Sequence, residues 1–304
     1  MTYRVSTCPS CSSQAWKAYP AIIAPFVAEY ALSAPPGRTR LIECEDCGLR
    51  FFEDRLSDAE IAKLYDGYRG DRYYEVRHRH EPWYTRAMND GQGDDAARRA
   101  TIERVVKRQV SHVGELLDFG GDRGQYIPEG LADRSFVHEI SGVPSVPGVE
   151  LLATEKELEG RSFDLVLLCH VLEHASEPRR LVERIAKLLR DRDSLLYVEV
   201  PFERPSLRLL GRGKISSGWL GAIRRVRPAL LAADLLSTAL RHKLDVVPPL
   251  GVVKLHEHVN FFDERSLRAA LASAGLEVVS VGRELSGSEK TPVVCALARR
   301  PLPS

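Results

Sequence analysis

Two identical cysteine spacings, Cys8-Pro-Ser-Cys11 and Cys44-Glu-Asp-Cys47, are the most chemically specific feature of the chain. A Cys-x-x-Cys turn brings two thiolates to one side, at the separation tetrahedral zinc needs for Zn–S bonds of about 2.3 Å. Pro9 and Gly48 suit the turns that flank such pairs. Two disulfides or unrelated cysteines are the other readings, but the pairing is symmetric and nothing else in the chain suggests an oxidising compartment. Four thiolates leave no open coordination position. The expected zinc is therefore structural, and it folds residues 1–55 rather than doing chemistry. Cys169 and Cys295 stand alone inside apolar runs and read as buried thiols.

A second set of residues surrounds a glycine turn. Asp118-Phe-Gly120-Gly121-Asp122-Arg123-Gly124 follows a short apolar strand and is expected to open a helix. Doubly wound sheets hold ligands at the carboxyl ends of their strands, and glycines there let the backbone come close. The glycines alone also fit a plain strand-to-helix turn. Glu139, ending the next strand, adds an acidic side chain where ribose hydroxyls are bound. The Gly-x-Gly-x-x-Gly spacing of a dinucleotide site is absent.

Histidines supply the proton chemistry. His170 and His174 follow an apolar strand, and His256 and His258 precede the last helix. An imidazole titrates near neutrality and suits a general base. His258 is the first candidate and His170 the second, with a structural hydrogen bond as the other reading of each. Tyr65, Tyr68, Tyr73 and Tyr74 offer hydroxyls, or simply pack.

These residues need a scaffold. Leu49–Phe52 reads as a strand closing the cysteine module, and Ser57 with Glu60 forms a capping box for a helix to about Tyr65. Residues 66–98 show no clean period and read as a linker that partly covers the next domain. A helix is expected over Asp95–Val110, burying Ala100, Val105 and Val106. Strands are expected at Glu115–Phe119, Ser135–Ile140, Phe163–Cys169, Ser194–Val200, Glu277–Val281 and Val293–Ala298. A helix starts at Pro178, and another spans 264–274 with Gly275 beyond its end. Strand–helix alternation of this kind means an α/β fold with a doubly wound, mostly parallel sheet. Residues 202–255 interrupt it. This insertion is basic and apolar, and reads as a lid for an anionic substrate, as a peripheral membrane contact, or as a packed helical hairpin.

The order LLDFGGDRG, Glu139, SFDLVLLCHVLEHASEP, LLYVEVP and HEHVNFFDERSLRAALASAGLEVV resembles the class I S-adenosylmethionine-dependent methyltransferases over residues 115–298. A Cys₄ module ahead of that domain resembles the zinc-containing methyltransferases found among sugar-modifying enzymes. The resemblance implies a seven-stranded Rossmann-like sheet and an S-adenosylmethionine cofactor. It places Asp118, Gly120, Gly121 and Gly124 along the methionine and ribose portions, and Glu139 on the ribose. Thr154 and Glu155 lie nearest the adenine position, and His170 lies at the cofactor edge. Glu173 and His174 correspond to a loop-ordering pair. Asp122 stands where the family has its middle glycine, and Asp tolerates left-handed backbone better than most residues.

The expected organisation is a zinc ribbon over 1–55, a helical cover over 56–110 and a methyltransferase domain over 111–304. The expected reaction is methyl transfer to a hydroxyl or carbon of a sugar, nucleotide-sugar or glycan precursor. With 43 basic and 42 acidic residues, the chain has no general charge for nucleic acid. That weighs against the alternative of a zinc-ribbon RNA methyltransferase. A binding protein with a degraded cofactor site is the other alternative. No apolar run reaches the roughly 18 residues of a membrane span, and no signal peptide opens the chain, so a cytoplasmic protein is expected.

Overall fold

The computed structural model describes residues 3–89, 95–140, 143–287 and 290–301. The N-terminal part runs β1 (Tyr3–Arg4), β2 (Trp16–Ile23), α1 (Pro25–Tyr30), β3 (Arg38–Cys44), β4 (Arg50–Phe52) and β5 (Asp54–Arg55). Helices α2 (Asp58–Tyr65), α3 (Asp71–His80) and α4 (Arg86–Asn89) come next. Helix α5 (Asp95–Val106) leads into β6 (Val113–Phe119), β7 (Ala132–His138), β8 (Val149–Leu152) and α6 (Glu155–Leu158). Then come β9 (Leu165–Cys169), α7 (Pro178–Ala186) and β10 (Leu195–Pro201). The insertion holds α8 (Lys214–Ile223), α9 (Arg227–Leu244) and β11 (Lys254–Leu255). The chain closes with β12 (Asn260–Phe261), α10 (Glu264–Ser273), β13 (Glu277–Ser286) and β14 (Thr291–Arg299).

Two compact units result. The first comprises Met1–Cys8, Ser12–Gln92 and Glu203–Phe261; the second comprises Pro9–Cys11, Gly93–Phe202 and Phe262–Ser304. The first unit is built on a five-stranded sheet in the order β11-β2-β3-β4-β12, with β1 and β5 as a separate pair. Its apolar core includes Phe26, Val27, Phe52, Tyr73 and Leu255. The Ser57–Glu60 capping box forms: the Ser57 backbone N–H and hydroxyl both donate to Glu60 Oε2 at 2.9 Å. Residues 66–98, read as lacking a period, in fact carry α3 and α4. Tyr73 and Val76 face inward three residues apart on α3, but Arg and His fill the rest of the helix and hide the period.

The second unit is a seven-stranded sheet in the order β13-β14-β10-β9-β6-β7-β8. Strands β6 to β10 pair in parallel, while β14 runs antiparallel to β10 and β13 antiparallel to β14. This is the doubly wound, mostly parallel seven-stranded sheet expected. Strand β9 is buried at every position, which its unbroken apolar run requires of a central strand covered on both faces. The order reverses between β6 and β9, so the carboxyl ends of these two strands flank the switch point. The residues just beyond those ends are Gly120 and His170. Helix α10 is capped by Asp263, which accepts from the Ser266 N–H at 2.8 Å, and is followed by Gly275 at φ +81°.

Two expectations fail locally. The glycine loop opens no helix; turns lead from β6 to Ala132. Gly124 and Gly130 adopt left-handed φ, and Pro128 between them lacks an amide donor, so no helical run survives. On α5, Ala100 is exposed and Ile102 joins Val105 and Val106 inside. The inner face starts at Thr101, one residue later than the sequence suggested, and its apolar members Ile102, Val105 and Val106 keep the spacing i, i+3, i+4.

Candidate functional site

Asp118 sits one residue before the end of β6 and is 1% exposed. Neither carboxylate oxygen has a hydrogen-bond partner among the described residues. Burial pushes the Asp118 carboxyl up to about 7; the Arg98 charge opposes this, and the carboxylates of Glu139, Glu199 and Asp122 reinforce it. The loop wraps over this carboxylate because it has no side chains in the way. A Cβ on Gly121 would stand 2.1 Å from Asp118 Oδ2. Gly120 adopts φ +71°, and a Cβ there would meet Val171 Cγ2 at 2.8 Å. Asp122 takes φ +55°, the left-handed conformation that the missing glycine would have supplied. Gly124 takes φ +73°.

Glu139 directly follows the last residue of β7 and is half-buried; its N–H donates to Leu152 O at 3.3 Å. At the end of β8, Thr154 caps α6. Its N–H and hydroxyl both donate to Glu157 Oε2, at 2.7 and 2.8 Å. Glu155 pairs with Arg184 and lies 3.4 Å from His138 Nε2. Both side chains thus have structural partners already.

His170 is the first residue after β9 and holds φ +56°. Its Nε2 lies 3.0 Å from Glu199 Oε1, and its Nδ1 lies 3.5 Å from Glu173 Oε1. Glu199 is fully buried on β10 and also accepts from Arg98 Nε at 3.2 Å and the Tyr197 hydroxyl at 2.8 Å. Burial by itself would raise the Glu199 carboxyl. The His170 hydrogen bond and the Arg98 charge outweigh it and hold the group below the usual range. Burial pushes the Cys169 thiol well up and Cys295 to about 12, so neither supplies a thiolate near neutral pH. Glu173 is 1% exposed; its oxygens make no hydrogen bond among the described residues, and His174 Nε2 lies 4.0 Å away.

Glu199 and Arg98 are central here, yet neither was a sequence-level candidate. The available signal was an acidic residue inside LLYVEVP, a run otherwise suited to full burial.

The other two candidate histidines, His256 and His258, lie in the first unit. His258 Nδ1 is 2.7 Å from Glu203 Oε2, a carboxylate orienting an imidazole. His256 Nε2 lies 3.2 Å from Glu81 Oε2, and its ring stacks on Phe26 at 5.7 Å, which gives it a packing role. Tyr68 and Tyr73 stack edge-on at 5.1 Å, and the Tyr73 hydroxyl donates to Glu257.

The four cysteines converge. Their sulfurs lie within 4.8 Å of one another, and Cys8 Sγ is 3.6 Å from Cys47 Sγ. A tetrahedron of Zn–S bonds has S···S edges of about 3.8 Å, whereas a disulfide needs about 2.05 Å. The two turns share one backbone pattern. Cys8 N–H donates to Ser13 O at 2.7 Å and Cys44 N–H to Leu49 O at 2.9 Å. Ser12 N–H returns to Cys8 O at 2.8 Å and Gly48 N–H to Cys44 O at 3.0 Å. Ser12 and Gly48 both take left-handed φ, +62° and +81°. Leu49 N–H also points at Cys47 Sγ, 3.5 Å away.

Asp118, the glycines, Glu139 and His170 are therefore gathered at the carboxyl ends of β6, β7 and β9, while His258 belongs to the first unit. Among family models, one described as a methyltransferase domain matches residues 94–281, more than half of the chain. No curated protein matches. Among solved structures, the chain is similar to the 1,6-didemethyltoxoflavin-N1-methyltransferase of Burkholderia thailandensis, with 17% identity and a TM-score of 0.49. That match covers 87% of this chain and 96% of the other. The N-methyltransferase NodS of Bradyrhizobium japonicum, in complex with S-adenosyl-L-homocysteine, aligns with 14% identity and a TM-score of 0.40. It covers 75% of this chain and 98% of its own. TM-scores of this size leave the activity to be argued from the chain's own residues.

Proposed function

The chain belongs to the methyltransferase-domain family, and we propose that it takes its methyl group from S-adenosylmethionine and passes it to a hydroxyl or carbon of a sugar, nucleotide-sugar or glycan precursor. The observation that carries the reading is Asp118. It is an acidic side chain buried at a sheet switch point, with no hydrogen-bond partner among the described residues, beneath a loop in which a Cβ at position 121 would collide with that carboxylate. A buried carboxylate of this kind is suited to a cationic ligand, which restores its ionised form. S-adenosylmethionine, when bound, supplies an activated methyl group on a sulfonium. The residues here would hold it: Asp118 toward its positive charge, Gly120, Gly121 and Gly124 along its length, and Glu139 at the ribose. Thr154 and Glu155 would border the adenine through backbone, since their side chains are held by the α6 cap and by Arg184.

An alcohol acceptor needs a base, and His258, oriented by Glu203, is the better arranged of the two candidates. His170 has a carboxylate near each ring nitrogen, which suits positioning. Arg208, Arg212 and Lys214 of the insertion are exposed and suited to an anionic acceptor. The cysteine cluster fits a structural zinc by its sulfur spacing and its paired turns.

Calorimetric titration tests the reading. The wild type should bind S-adenosylmethionine and its demethylated product. Glu139→Ala should bind about tenfold to a hundredfold more weakly, through loss of charge-assisted hydrogen bonds. No heat of binding with either compound would overturn the proposal.

A further inference from the structure

Helix α9 is inside out. Its buried face carries Leu230, Asp234 and Ser237. The polar members of that face are used: Asp234 Oδ2 accepts from Lys254 at 2.8 Å, and Ser237 Oγ accepts from the Val252 N–H at 2.9 Å. The opposite stripe, at the spacing i, i+4, i+7, i+8, i+11, is Pro228, Ala232, Leu235, Leu236 and Ala239, and it is exposed. Leu236 keeps 59% of its surface in solvent. Helix α8 adds Ile215, 81% exposed, and Trp219, 37% exposed, four residues apart on one face.

The charge around these helices is one-sided. Between residues 204 and 244 there are nine Lys or Arg and a single acidic residue, Asp234, although the whole chain has a net charge of only +1. Asp234 is buried against Lys254, so it does not temper the outer surface. Exposed Arg208 and Arg225 in the turns, Lys214 on α8 and Lys243 on α9 therefore lie in the same stretch of chain as exposed Leu, Ile and Trp side chains. No helix among the described residues is long and apolar enough to cross a membrane. Apolar side chains able to enter the acyl boundary, an interfacial Trp and unopposed basic residues match the surface of an anionic bilayer.

We propose that the α8–α9 hairpin is a membrane-surface anchor that docks the protein on anionic lipid, with Ile215, Trp219, Leu235 and Leu236 entering the interface and the basic residues meeting the headgroups. This goes beyond the proposed reaction and does not depend on the acceptor.

The test is co-sedimentation of the full chain with phosphatidylcholine vesicles, with and without phosphatidylglycerol, at low and high salt. The expected result is binding to the phosphatidylglycerol vesicles, weakened by salt, with a blue shift of tryptophan emission that Trp219→Phe removes. Replacing one exposed basic residue, as in Arg225→Gln or Lys243→Gln, should weaken partitioning about fivefold. The double variant L235E/L236E should abolish it; if that variant loses its circular dichroism signal, L235S/L236S takes its place. Failure of the wild type to sediment with anionic vesicles at low salt would overturn the proposal. So would binding that the leucine variants leave unchanged. A self-association seen by ultracentrifugation, broken by the leucine variants in a protein that ignores vesicles, would assign the face to a second copy and overturn it too.

Discussion

His170 Nε2 lies 3.0 Å from Glu199 Oε1, so a half-buried imidazole just past β9 is held by a fully buried carboxylate on the neighbouring strand β10. The same carboxylate takes Arg98 of α5 and the hydroxyl of Tyr197. A single acidic side chain thus joins two adjacent strand ends and a helix.

Removing that carboxylate should be costly. Glu199→Leu would take from the largely buried Arg98 guanidinium its hydrogen-bonded carboxylate, and loss of one partner of a buried pair typically costs about 3–5 kcal/mol. Urea unfolding followed by circular dichroism measures it; a loss below about 1 kcal/mol would mean Arg98 finds water or another partner. The folded-state Glu199 carboxyl lies below its ordinary range. Its contribution to stability is therefore present above the unfolded value and lost as pH falls through the lower folded one.

Asp118 should behave in the opposite sense. Its carboxyl is raised to about 7 by burial, so the folded protein keeps a proton that the unfolded chain has released. Stability should then fall as pH rises from about 4 to about 7. Asp118→Asn cannot ionise, and its melting temperature should lose this part of the pH dependence. With a cationic ligand the linkage shows as proton release. Titration of S-adenosylmethionine near pH 6 in buffers of different ionisation enthalpy should detect protons leaving the wild type and fewer leaving Asp118→Asn. Equal release from both would place the titrating group elsewhere.

Metal analysis under reducing conditions should find one zinc per chain, lost in Cys44→Ser. Because thiolate coordination is coupled to folding, a strong chelator should raise the protease sensitivity of the N-terminal residues in the wild type. A metal-free protein with unchanged protease resistance would show that the paired turns hold without an ion.

For an alcohol acceptor, His258→Ala should lower turnover about 10²–10⁴-fold while S-adenosylmethionine affinity stays near the wild-type value. His170→Ala should shift cofactor affinity and stability as well as turnover, because it takes one of three partners from Glu199 and the imidazole beside Glu173. If His258→Ala keeps full turnover, the base is elsewhere or the acceptor is acidic enough to need none.

Much of this protein is legible in one dimension. The two Cys-x-x-Cys turns, the β9 run, the α2 capping box and the glycine loop are local features, because each depends on residues within a few positions of one another. A fully apolar strand, a cap or a thiolate pair carries its own physical reason in its spacing. Asp122 belongs to the same class: a left-handed Asp where glycine is usual is a local tolerance.

What tertiary structure decided depends on contacts far apart in sequence. Burial, reinforced by the charges of Glu139 and Glu199 and opposed by that of Arg98, is what moves Asp118 to about 7. Glu199 becomes the hub of the site only because β9 and β10 are neighbours and α5 brings in Arg98, 101 residues away. Helix α9 reads as an ordinary amphipathic helix until its neighbours are known. Lys254 and the Val252 amide draw Asp234 and Ser237 inward, and the leucines are left on the outside. Periodicity fixes which residues share a helix face, but only the packing partner decides which face is buried.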